Sequence, residues 1–199
     1  MEVKPKKRKS MRYPPEHKAE KRQQLIHASS ALMKQGGYAA TGVDKLMEAS
    51  GVTSGAFYSH FGSKAELLQA LIPYELQLSR DAWQSNPHTE PEAWLEFELE
   101  RYLNIKHVRH PEAGCMLPSL GAEIARADEA TRKQFEEEME KGVATLGEKL
   151  GNPDLAWALI CQLVGAILIA RAMPSKAGQL AVLESSKRFL SNSLPRHVK

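Results

Sequence analysis

Apolar residues recur every three or four positions through most of the chain, and nowhere do Val, Ile and Thr alternate with polar residues in the manner of a strand. The pattern predicts an all-α protein. A first helix is expected from about Glu16 to Gln35, with Leu25, Ile26, Ala28, Leu32 and Met33 on its apolar side, and Gly36-Gly37 stops it. Thr41 is a candidate N-cap for a two-turn helix from Val43 to Ala49. The turn Ser50-Gly51-Val52 follows, and Thr53 caps a short helix from Ser54 to His60. Ser63, with Glu66 three residues on, forms a capping box for a long helix. That helix carries Leu67, Leu68, Leu71, Ile72 and, across Pro73, Leu76 and Leu78. Two short helices joined by a glycine-containing turn, with a third packed on them, make a helix-turn-helix arrangement.

The remainder reads as further amphipathic helices. One is expected over about 91–108, a short one over about 116–126, one over about 129–150 capped by Asp128, and a last one over about 176–192. The segment 155–170, LAWALICQLVGAILIA, has only Gln162 as a strongly polar residue. Sixteen helical residues span roughly 24 Å, short of a ~30 Å hydrocarbon layer. A helix apolar all round in a soluble protein is buried on every side. One side is expected against the subunit's own core and the other against a second subunit, so the sequence predicts a homodimer and no membrane partner. The expected interface comprises Leu163, Gly165, Ala166, Ile167 and Ala170 of this helix, with Leu180 and Leu183 of the last one.

Composition narrows the class. Hydrophobic residues at 42% and charged residues at 26% suit a globular chain of 199 residues. Net charge +3 conceals an asymmetry: residues 1–67 hold 12 Lys+Arg against 6 Asp+Glu, and residues 68–199 hold 15 against 18. A basic first third points to a polyanionic partner at one end. Residues 1–15 contain six basic residues and three prolines and are expected to be a disordered arm. Within it, 5–9 (PKKRK) also has the composition of a nuclear-import signal, and Met11 is a second candidate start. The chain opens on charge with no secretory signal, and two cysteines cannot form a disulfide framework, which favours the cytoplasm.

Residues 22–72 resemble the TetR/AcrR family of bacterial transcriptional regulators. The diagnostic residues are Gly37-Tyr38, Thr41, Ala49, Gly51-Val52, Gly55, Phe57-Tyr58, His60-Phe61, Ser63-Lys64 and Leu67-Leu68. The stretch from His110-Pro111 through Gly114-Cys115 to Leu120 is similar to a linker in one branch of that family. Ser54 stands where many members carry a basic residue. The resemblance implies an N-terminal DNA-binding head, residues 16–62, and a helical effector-binding and dimerisation body, residues 63–199. Double-stranded operator DNA and a small-molecule effector would be the partners, with no cofactor.

In a helix-turn-helix the second helix lies in the major groove with its N-terminal residues at the base edges. Thr53 and Ser54 are the base-reading candidates, and Gly55 permits close approach. Tyr58 and His60 can reach flanking phosphates. Thr41 and Lys64 sit at helix N-termini that favour a phosphate oxygen, and Lys45 adds a cation on the supporting helix. Phe57 and Phe61 are expected in the head's core.

For the body, the resemblance implies an apolar cavity among the central helices. Candidate lining residues are Trp83, Trp94, Phe97, Tyr102, Met116, Leu117, Leu120, Phe135 and Trp157, together with Cys115. Cys115 follows a proline-containing break and opens a helix, a setting that lowers a thiol pKa. Cys161, in the most apolar helix, is expected to be inert. His107, His110 and Cys115 lack a carboxylate partner at ligand spacing, so no metal site is assigned. None of the patterns GxSxG, GxxxxGK[ST], HExxH or CxxC occurs, and no enzymatic centre is assigned. A small all-α enzyme or binding protein with an incidental basic tail is the alternative reading.

Overall fold

The computed structural model describes residues 15–193, and among these every regular element is helical. The arm expected over 1–15 lies outside the described residues except for Pro15. Ten α-helices follow in order: α1 Pro15–Gly36, α2 Val43–Ser50, α3 Ser54–His60, α4 Lys64–Gln84, α5 Pro91–Tyr102, α6 Ile105–Arg109, α7 Leu117–Ile124, α8 Glu129–Leu150, α9 Pro153–Ala172 and α10 Lys176–Ser193. A single 3₁₀ turn, Pro111–Ala113, links α6 to α7.

Local chemistry sets most boundaries. After α1, Gly37 adopts φ +83°, a left-handed conformation open to glycine, and its N–H donates to the Met33 carbonyl at 2.9 Å. Gly51 ends α2 in the same way at φ +63°. The Thr53 hydroxyl accepts from the Ala56 N–H at 3.3 Å and starts α3. Ser63 accepts from the Glu66 N–H at 3.1 Å, while the Glu66 carboxylate reaches the N–H of Gly62 at 2.7 Å, one residue before the cap. Asp128 accepts from the Thr131 N–H at 2.7 Å and opens α8.

Two boundaries differ from expectation. Thr41 does not cap α2: Gly42 occupies that position, and the Thr41 hydroxyl donates to the Gly37 carbonyl at 2.7 Å, turned into the head. The helix expected over 91–108 breaks at Leu103-Asn104. There the Asn104 side chain accepts from the His107 N–H at 3.0 Å and begins α6, because a short amide offers the backbone an alternative to continuing the helix.

One apolar cluster runs from the head into the body without interruption. Phe57 and Phe61, buried as expected, meet Leu25, Ile26 and Leu67, and α4 carries the cluster on to Met139 and Leu146 of α8. A second cluster lies between α5, α6, α9 and α10. Helix α9 has 20 residues and is, by length and composition alone, long and apolar enough to cross a membrane. It packs against α8 and α10 as a core helix.

That packing corrects the expected interface. Leu163, Ala166, Ile167, Ala170 and Leu183 are all 5% exposed or less and pack within their own chain. Gly165 stays half-buried and Leu180 exposed. The bare apolar face of α9 is instead Trp157, Leu168 and Ile169, with Phe189 of α10. Cys161, expected inside an apolar helix, is exposed. An apolar stripe on all sides carries no phase, so spacing alone could not say which side turns inward.

Candidate nucleic-acid interface and ligand cavity

Helix α3 is anchored by Phe57 and presents the opposite face outward. Tyr58 is 58% exposed, its ring set edge-on to Phe57 at 5.2 Å. Thr53 and Gly55 are exposed at the N-terminal end, and no atom would lie within 4 Å of a Cβ on Gly55. The Ser54 side chain lies outside the described residues. Lys45 is exposed on α2. Lys64 begins α4 with its ammonium 4.2 Å from the centre of the Tyr38 ring, a cation–π contact. Burial lowers the Lys64 pKa, partly offset by Glu123. His60 is half-buried with Nδ1 unpartnered; burial, then Lys18 and Arg22, lower its pKa. Thr41 departs from the expected set, because it is buried and its hydroxyl is committed to Gly37. Lys45 of α2, Thr53 before α3, and Gly55 and Tyr58 of α3 are thus exposed, while His60 and Lys64 are half-buried.

The body encloses a half-open cavity of about 550 Å³ between α4, α6, α8 and α9, extending to α1. Trp83, Tyr102, Cys115 and Leu117 line it, as expected. The other candidates lie elsewhere. Trp94, Met116 and Leu120 are buried in the continuous core, and Phe135 packs against that core. Phe97 is on the surface beside His88, and Trp157 is 41% exposed on the outer face of α9.

Charged residues of the wall escaped sequence reasoning. Lys34 of α1 reaches the Glu75 carboxylate of α4 at 3.0 and 3.1 Å and donates to the Gly114 carbonyl at 2.9 Å. The Ser30 hydroxyl donates to the same carboxylate. Arg80 donates to the Glu138 carboxylate of α8 at 2.8 Å, and Lys141 binds its other oxygen at 2.6 Å. A signal was present: Glu75 and Arg80 fall in phase with Leu68, Leu71, Ile72 and Leu76 on a stripe that ought to be apolar. Charges are buried in that way when partners exist.

His107 sits where the linker meets the cavity. Its Nδ1 is 2.8 Å from the Tyr102 carbonyl, and its Nε2 accepts from the Cys115 N–H at 3.0 Å. One neutral tautomer satisfies both contacts. Burial is the main reason its pKa falls from 6.5 to about 4. Gly114 is required beside it, since a Cβ there would lie 2.3 Å from the ring. Burial raises the Cys115 pKa, the reverse of the thiolate expected at a helix start, and α7 begins two residues later at Leu117. Burial, then the nearby Cys115, hold the Tyr102 hydroxyl protonated well above its usual range. Among the described residues, no three His, Cys, Asp or Glu side chains converge on a metal position.

A helix-turn-helix head with an exposed recognition face, joined through α4 to a hollow helical body, defines a DNA-binding transcriptional regulator. The family model for bacterial regulatory proteins of the tetR family matches residues 25–71. An uncharacterized HTH-type transcriptional regulator in the lacX 3' region of Lactococcus lactis subsp. lactis is 24% identical over 188 residues, 88% of this chain and 93% of that protein. HTH-type transcriptional regulator TtgR of Pseudomonas putida is 44% identical over 57 residues, 29% of this chain and 27% of that protein. The fold is similar to that of E. coli NemR in its reduced form, with a TM-score of 0.75 at 20% identity, over 89% of this chain and 100% of that chain. The match assigns residues 25–71 to the DNA-binding part of the tetR family of bacterial regulatory proteins, and the remainder resembles such regulators in fold.

Proposed function

We propose that the protein is a ligand-responsive repressor that binds a near-palindromic operator as a homodimer and leaves it when a small molecule fills the cavity. The observation that carries the reading is Lys34. It belongs to α1 of the head, yet it forms part of the cavity wall and bonds both α4 and the linker before α7. An occupant therefore touches the helix against which α2 packs, and α2 in turn packs on α3. Its differential affinity for the two head arrangements sets how far the equilibrium moves.

Tyr58, His60, Lys45 and Lys64 hold phosphates in this reading, and Thr53, Ser54 and Gly55 approach the bases. The exposed stripe of Trp157, Leu168 and Ile169 with Phe189 and Leu180 supports pairing of α9 and α10 across a two-fold axis. Such a dimer places its heads in major grooves about one DNA turn apart. The role is regulatory and not catalytic, and its setting is the bacterial cytoplasm.

A gel shift with DNA flanking the protein's own gene tests this. Wild type should retard it as a dimer and protect a near-palindrome, and Tyr58→Ala should weaken the complex at unchanged helix content. A monomer on DNA, or wild-type affinity from Tyr58→Ala, would overturn it.

A further inference from the structure

The cavity wall carries ions, but they neutralise one another. Lys34 and Arg80 face Glu75 and Glu138, and all four are less than a tenth exposed. All three ammonium hydrogens of Lys34 are engaged, by the two Glu75 oxygens and the Gly114 carbonyl. Arg80 donates to the Glu138 carbonyl and carboxylate and, through Nε and Nη2, to Gln77. Lys34 has no hydrogen left for the space, and Arg80 keeps a single Nη1 hydrogen. An anion placed there would lie beside two buried carboxylates. His107 has both ring nitrogens engaged and is neutral. Lys106 and His110 stand at the rim in water.

One polar atom of the wall stands apart. The Tyr102 hydroxyl is buried with no oxygen or nitrogen partner, and the Cys115 sulfur beside it offers only a weak acceptor. A buried hydroxyl so poorly matched is unfavourable, and an oxygen acceptor brought to it recovers the difference. Ser79 and Asn104 of the lining are bonded to backbone groups and Arg101 to Glu98, and Leu76, Trp83, Met139, Ile160 and Val164 supply apolar wall around the space. The volume is within the range of small-molecule sites.

We infer that the cavity selects an uncharged, mainly apolar molecule with one carbonyl-type oxygen, which accepts a hydrogen bond from Tyr102. This rests on the reading of the cavity as the effector site. Tyr102 is thereby a specificity-determining residue, and the buried carboxylates of Glu75 and Glu138 disfavour an anionic group.

Three near-isosteric probes separate the possibilities: 2-acetylnaphthalene, 2-ethylnaphthalene and 2-naphthoate, measured by calorimetry on the full chain. The ketone should bind about five- to tenfold tighter than the ethyl compound, the worth of one hydrogen bond, and the carboxylate weakest. Tyr102→Phe should bring the ketone down to the ethyl compound's affinity without lowering the melting temperature, since phenylalanine fills the same space. Tightest binding by naphthoate, an unchanged ketone preference in Tyr102→Phe, or no binding by any probe would overturn the inference. The same probes added to the protein–DNA complex separate the two readings. Binding in the stated order with no release of DNA leaves the ligand class standing and overturns the effector role.

Discussion

Glu75→Gln isolates the buried contact between head and body. The wild-type carboxylate is 5% exposed and receives Lys34 at 3.0 Å and the Ser30 hydroxyl. Glutamine keeps the shape but removes the charge and turns an NH₂ group toward donors. Lys34, itself 7% exposed at the side chain, then holds an uncompensated charge away from water. Breaking a buried pair in this way costs about 3–5 kcal/mol. For a chain of this length each kcal/mol shifts the midpoint by about 2–4 °C, so the melting temperature should fall by roughly 6–20 °C. Lys34→Met should cost a comparable amount. The double replacement Lys34→Met/Glu75→Leu should return to near wild-type stability, because it removes both charges and their desolvation together. Urea unfolding followed by circular dichroism, at one fixed protein concentration, measures all four proteins. A loss under about 1 kcal/mol for Glu75→Gln, or a double variant as unstable as the sum of the singles, would refute the argument.

The same geometry sets further expectations. His107 folds with a pKa of about 4 in place of 6.5, so between those values the unfolded chain binds the proton that the folded chain refuses. Its contribution is complete above pH 6.5, is lost as the pH falls toward 4, and totals on the order of 3 kcal/mol. His107→Asn should be less stable at pH 7 and lose less on going to pH 5; parallel urea-unfolding profiles would count against this. Lys64→Ala should weaken DNA binding evenly across sequences and reduce the salt slope by about one, read from gel shifts at several salt concentrations. An unchanged slope would mean that Lys64 stays on Tyr38. Leu168→Arg should make the protein monomeric in sedimentation with helix content intact, whereas Leu163→Ala should lower stability by about 2–5 kcal/mol through a cavity in the core. A dimeric Leu168→Arg protein would place the interface elsewhere.

What the sequence determined by itself is local. Capping operates over three residues, so Thr53, Ser63 and Asp128 mark their helices before any packing is known. Gly51 marks its turn for the same reason, and Phe57 and Phe61, expected in the head's core, are buried there. Residues whose place depends on distant partners were not legible. The bond from Lys34 to Gly114 spans 80 positions and that from Arg80 to Glu138 spans 58, and no spacing rule encodes either. Cys115 has a helix start nearby that argues for a thiolate, but burial by groups from other helices outweighs it. Thr41 has an N-cap's residue type, yet its hydroxyl turns to Gly37 once the head closes over it. Helix α9 is the clearest division. Its composition required burial on more than one side, but a helix apolar all round has no phase, and only packing against α8 and α10 decided that Leu163 faces inward and Leu168 outward.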